Sequence, residues 1–519
     1  MNKEPIEQEI PDLQVSDADE APSSEPHQSS QKGPAHFLRI TGKVALSAFS
    51  AVMLISLGIA VVLADALVPK VTAGSIRISH MDLPATAVNL ACPQMPDHTN
   101  REGMSIDGLD TPPVVSASTT VAVMSSSGSL PKGVSFLDAD GNSMELSPRA
   151  GLIQGSYPSA HIGYLHAPPN DDATALGGAV VEQSVNTGDY RGLASSGCLA
   201  PSMDSWLVGG STSAGVTSTL RILNPLERRV EVSVAAWGST GPLNISRGSN
   251  VAIAPGQVLS IPMEAVVANE PRIVIRVTSN GGGVVATMVA HRLDGVVPMG
   301  VDLIVPSAPP SQTLTIPGVS FDGSEGYLRL LNPSMQPVTA SVWVLGPRGK
   351  EALGGAEQLI LDPGAVFDIS LTGLEQGNYG LVVQGSGDII GAAQVFRQAG
   401  ASESGMSRQA QDFAWIPSAE IGDTWALVGP QGLRRTLVFT NPNPNSVTAS
   451  YGTQTIEVPG ESTAALTLEN AELGMRLKAP GMGVAQVLTT DLLGGEGISL
   501  ANPTPDSSKN NTVRVQIGT

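Results

Sequence analysis

Downstream of residue 200 the chain alternates apolar and polar positions with a period of two. Leu220 and Ile222 flank Arg221, Leu328 and Leu330 flank Arg329, and Leu437 and Phe439 hold the same places further on. Each pattern runs into an Asn-Pro pair: Asn224-Pro225, Asn332-Pro333 and Asn441-Pro442. Six residues after each Asn a second alternating run begins: Val230, Val232, Val234; Val338, Ala340, Val342; Val447, Ala449, Tyr451. Alternation puts one face on a core and one in water, which predicts antiparallel strands. Pro ends the ladder because it has no N–H, and the Asn side chain can bond the turn backbone.

The three Asn are 108 and 109 residues apart. Pro-Ser pairs precede them, starting at Pro201, Pro306 and Pro417, and Pro-Gly follows each Asn by 31, 31 and 18 residues. A period this long means tandem domains, the third one shortened. Each repeat also carries an apolar run, a Gly-rich break and another apolar run, as in RIVIRVTSNGGGVVATMVAHR and YGLVVQGSGDIIGAAQVFR. That order predicts a hairpin. Short strands between closely spaced turns predict a mainly β chain of tandem immunoglobulin-like β-sandwich domains. A β-propeller with two blades per repeat is the alternative.

The expected organisation is an acidic, disordered cytoplasmic tail over 1–36, a transmembrane helix over 44–68 and a less regular β-rich module over 74–199. Sandwich repeats then cover 200–305, 306–415 and 416–504, followed by a polar tail over 505–519. Within the irregular module, AVNLACP reads as a strand and VSFLDADGNSMELS as a hairpin turning at Asp140-Gly141.

The membrane expectation rests on Val44–Ala64, 21 residues without a charge. That length spans about 30 Å of hydrocarbon as a helix. Arg39 and Lys43 precede it and Asp65 follows, so the positive-inside rule puts the N-terminus in the cytoplasm and the bulk of the chain outside. The alternative is a signal peptide cleaved after Ala64-Asp65-Ala66, although the run is longer than an ordinary signal core. Cys92 and Cys198 are the only two cysteines, both on the outer side, and an even count in an oxidising compartment reads as one disulfide. Closing so long a loop contributes about 4–5 kcal/mol in the chain-entropy account.

Composition narrows the partners. The formal net charge is −19 and charged residues are only 14% of the chain. Such a chain is a poor binder of phosphate backbones, which excludes nucleic acid as the expected partner. Gly (57) and Pro (39) favour turns and strands over helix bundles.

The run GDYRGLASSGCLAPSMDSWLVGGS, followed by LRILNP, resembles an uncharacterised actinobacterial family of membrane-anchored, secreted β-repeat proteins. Cys92, Cys198, Trp206 to Gly210 (with Gly209) and Asn224-Pro225 carry the resemblance. It implies an envelope location and a link to cell-surface glycan assembly, and it supplies no catalytic residue. Leu207 stands where the family has a second aromatic, which weakens an aromatic ligand platform there.

No catalytic or metal constellation emerges. His161 and His166 are five apart, so they do not share a strand face, and no H-E-x-x-H or G-x-S-x-G occurs. Asp138-Ala-Asp140-Gly-Asn142 hints at a calcium loop, but Gly141 and Arg149 stand at the wrong offsets, so a hairpin turn is expected. The sites expected are therefore structural, with no catalytic, cofactor or metal residue: the disulfide and the Trp206, Gly209, Gly210, Asn224, Pro225, Asn332, Pro333, Asn441 and Pro442 motifs. The expected function is a non-catalytic, single-pass scaffold or interaction module of the cell envelope. A wall-glycan-binding array and an envelope hydrolase are the alternatives.

Overall fold

Strands that bury one face, or in the inner positions nearly every residue, build the fold, and the described residues hold no long helix. The computed structural model describes Met53 and residues 77–82, 85–96, 114–125, 129–169, 174–245, 250–401, 408–468, 472–506 and 512–517. The tail over 1–36 and nearly all of the apolar run over 44–64 lie outside the described residues. Among the described residues no helix is long and apolar enough to cross a membrane. Residues 78–515 form one compact body.

Each repeat has two sheets. In the repeat over 200–305, the second of four counting the N-terminal module, one sheet runs Asp204–Val208, Val274–Asn280, Val230–Gly238, Gly241–Leu243. The other runs Val258–Pro262, Val216–Leu223, Val285–Asp294, Val297–Ile304. We call the first the cover sheet and the second the blade. The third repeat has the same plan: Ser311–Phe321 leads its cover sheet, and its blade ends on Gln409–Pro417. So does the fourth, where Gly422–Val428 leads the cover sheet and Gly495–Leu500 ends the blade.

The irregular N-terminal module follows that plan too. Its cover sheet is Val88–Cys92, Gly163–Ala167, Ser135–Asp138. Its blade is Leu152–Tyr157, Val115–Ser125, Ala175–Val185, Gly192–Gly197, with Ser147–Arg149 added outside. The described residues thus form four topologically equivalent repeats, of which the first lacks the Asn-Pro marker.

The last strand of each blade lies innermost. These four strands touch in cyclic order, the first repeat against the second, the second against the third, the third against the fourth and the fourth against the first. The arrangement is four-bladed and propeller-like. The cover sheets are wedged between blades: the core of the second repeat takes in Leu331, Val366, Ile390 and Trp415 of the third. The core of the third likewise takes in Val438, Ala485 and Leu500 of the fourth. Fourth-repeat Val428 packs with first-repeat Val180 and Leu193, which closes the ring.

Two expectations are corrected. An immunoglobulin-like sandwich pairs its first strand with the second or stays on that sheet, whereas here the first strand pairs with the strand before the Gly-rich break. The Gly-rich breaks are not hairpins either. Val274–Asn280 and Val285–Asp294 belong to different sheets. In the third repeat one strand, Gly377–Ala401, pairs in the cover sheet up to Gly385 and in the blade from Ile390. The glycines make a corner at which a strand changes sheets. Gly281 has φ +92°, and a Cβ on Gly283 would stand 2.7 Å from the Pro201 backbone, so the corner needs both.

The alternation itself holds. Val230 and Val232, Ala340 and Val342, and Leu330 and Phe439 are all buried. Fully burying such a side chain contributes about 1.5–3 kcal/mol.

Candidate functional site at the ring axis

Polar side chains on the four inner strands stitch those strands together. Asp412, on the inner strand of the third repeat, has no exposed surface. Its Oδ2 accepts the backbone N–H of Leu193 and of Ile498, both at 2.9 Å, and its Oδ1 accepts that of Val301 at 3.4 Å. One carboxylate therefore ties the inner strands of the first, fourth and second repeats to its own. Gly192 is needed beside it, since a Cβ there would stand 2.5 Å from Oδ1.

Asp302, on the inner strand of the second repeat, makes the next layer. Its Oδ2 accepts the Trp415 N–H at 2.7 Å and its Oδ1 accepts the Ser499 hydroxyl at 2.8 Å. Ser499 Oγ in turn accepts the Ser195 N–H at 2.9 Å. Burial pushes the Asp302 carboxyl up to about 7, against the lowering effect of those hydrogen bonds. Burial also pushes Asp412 well up, with the nearby Asp302 charge acting the same way.

Arg191 closes one end of the axis. It is fully buried, and its guanidinium donates to the carbonyls of Ala401 at 2.7 Å and Leu492 at 2.9 Å, and to that of Ala399. Beside it Tyr190 stacks on His291 at 4.2 Å, and His291 Nε2 meets the Asp189 carbonyl at 2.8 Å. Burial lowers the His291 pKa, which favours the neutral ring. At the other end lies a cavity of about 1210 Å³, mostly apolar. Leu199, Pro201, Pro306, Leu500, Pro503 and Tyr164 line it.

Each Asn-Pro motif ends a blade strand, and Pro225 also borders the cavity together with Pro255 and Gly256. Asn224 Nδ2 donates to the carbonyls of Arg228, Ile253 and Ala254, and its Oδ1 accepts the Leu226 N–H. Asn332 bonds Gln336 and Leu361, and Asn441 bonds Asn445, Val458 and Pro459, in the same way. All three have no exposed surface. The amide joins the turn after its own strand to the Pro-Gly turn beyond, which is why the two motifs recur together. Pro225, Pro333 and Pro442 begin those turns.

The Trp206 motif lies at the junction of the second and third repeats. A Cβ on Gly209 would stand 2.8 Å from both Ile304 and the Trp415 ring, and one on Gly210 2.8 Å from Ser218 Oγ. Arg329 of the third repeat reaches the Gly210 carbonyl at 2.6 Å and lies 4.9 Å from the Trp415 ring centre. Trp206 itself is buried, stacked on Trp237 at 5.1 Å with Arg276 above it.

Cys92 and Cys198 form the expected disulfide, closing a separation of 106 residues between the first cover strand and the exit of the first inner strand. At Asp138, Oδ1 accepts the N–H groups of Asp140 and Asn142, and Oδ2 accepts Asn142 Nδ2. These bonds lower its pKa and make the loop a hairpin turn. Among the described residues no group of three or more His, Cys, Asp or Glu could hold a metal ion. The axial residues were missed from sequence. Their one signal is an aspartate inside an apolar run shortly before Pro-Ser, in VDLIVPS and QDFAWIPS.

Fold and axis together define a propeller-like β protein whose centre is a hydrogen-bonded keystone. Residues 156–472 match the model of a family of unknown function (DUF5719), and the chain belongs to that family. No curated protein matches it. The matched span opens inside the first repeat and stops before Gly474–Leu492, so the ring needs strands on both sides of it.

Proposed function

We propose that the protein is a non-catalytic interaction module of an actinobacterial cell envelope. In this reading the run over 44–64 anchors it with its N-terminus in the cytoplasm, and the propeller-like body stands outside. The observation that carries the reading is the axis. Asp302, Asp412 and Arg191 are all engaged with backbone groups of the inner strands, which suits a rigid platform better than acid–base chemistry in a cleft. The disulfide supports exposure to an oxidising compartment. Sugar stacking is less well supported, because Trp206, Trp415 and Trp425 are buried and Trp343 lies under Lys350.

Two experiments test the reading. Alkaline phosphatase fused after Thr519 should be active in cells; an inactive fusion would place the body in the cytoplasm. Full-length protein should show no saturable binding to protease-treated wall sacculi, and crosslinking in intact cells should give discrete protein adducts. Saturable binding to those walls would instead favour the glycan-binding alternative.

A further inference from the structure

We propose that ring closure is a proton-linked latch, in which bringing the four inner strands together moves the Asp302 and Asp412 carboxylates out of water into a site without a counter-cation. Both side chains are at most 1% exposed and stand on neighbouring inner strands. Among the described residues neither carboxylate makes an ion pair. Burying an uncompensated anion is costly, and a proton relieves the cost.

The surrounding cationic groups are committed to other partners, and the other ionisable groups there are acidic. Arg191, ahead of the first inner strand, is bonded to the carbonyls of Ala401 and Leu492. Strand Ala175–Val185 brings Glu182, whose pKa burial raises. Strand Val285–Asp294 brings His291, held by Asp189; Arg292, over the Phe396 ring; and Asp294, paired with Arg408. Gly377–Ala401 brings Arg397, which pairs with Glu496 of the fourth inner strand, and Glu496 also holds Arg434. Strand Gly474–Leu492 brings Asp491, which is exposed.

The sign of the linkage follows from the raised carboxyls. In the unfolded chain Asp302 titrates near 3.8, and in the closed ring near 7. Closure therefore takes up a proton between those values. The added stability is fully present below about pH 4 and is lost as pH rises through about 7. The latch therefore tightens as pH falls from about 7 towards about 4.

Urea unfolding of the full-length protein tests this. The folding constant of the wild type should fall by on the order of tenfold or more from about pH 5 to about pH 8. Asp302→Asn should flatten that slope. Asp302→Asn retaining the full wild-type slope, or a wild type with no slope, would overturn the proposal. A second readout needs no variant: the infrared carbonyl band of a buried protonated carboxyl should be present in the wild type at about pH 6 and weaken as pH rises through about 7. A wild type without that band at the lower pH would also overturn it.

Discussion

The second–third and third–fourth junctions are built at one register position with opposite chemistry. Three residues before the repeat Asn stand Arg221, Arg329 and Val438. Arg329 is buried; its Nε and Nη2 donate to Asp368 at 2.8 and 2.9 Å and its Nη1 to Gly210 of the preceding repeat. Arg221 likewise reaches back to the carbonyls of Gln94 and Met95 in the first repeat. Val438 reaches back as well, but into the apolar core of the third repeat. The same strand geometry seals a junction either with a cation that must find all its acceptors or with a small apolar side chain that needs none. The difference teaches that the ring's topology, and not one conserved contact chemistry, sets where neighbouring repeats meet.

The largest effect should come from forcing the wrong chemistry into a junction. Val438→Arg buries a cation where no acceptor waits, and should cost more than about 4 kcal/mol or abolish folding, read by urea unfolding. Arg329→Ala should cost about 3 kcal/mol, because the buried Gly210 carbonyl loses its donor and Asp368 keeps only the longer contact to Arg272 at 3.4 Å. Adding Asp368→Val to Arg329→Val should recover part of the loss, and a double-mutant cycle measures that coupling. Asn332→Ala leaves buried carbonyls unpaired without touching the Arg329 contacts, and should cost about 1–3 kcal/mol. Arg348→Ala, at an ion pair with both side chains more than 70% exposed, should change stability by less than about 0.5 kcal/mol.

What the sequence made legible was local. Strand alternation and the shared Asn-Pro and Pro-Gly corners follow from periods and spacings within one repeat, and the single disulfide from the cysteine count and compartment. The glycine corners misled because a Gly-rich break between two apolar runs has the composition of a hairpin. Only pairing partners reveal that Gly377–Ala401 continues into a second sheet. The first repeat was obscured because its blade lacks the Asn-Pro marker, although its strand order is the same. The axial carboxylates were the least legible. Asp412 finds its partners at Leu193 and Ile498, 219 and 86 residues away, and nothing in the neighbouring sequence announces them.

The central claim is that four repeats close into one body through the axis. Native-state hydrogen exchange tests it most directly, read at the amides of Leu193 and Ile498, which both donate to Asp412 from the first and fourth repeats. The account predicts that the two exchange with the same free energy, close to that of global unfolding, and that Asp412→Ala lowers both together. An Ile498 amide that exchanges independently of Leu193, with the fourth repeat opening alone, would contradict it.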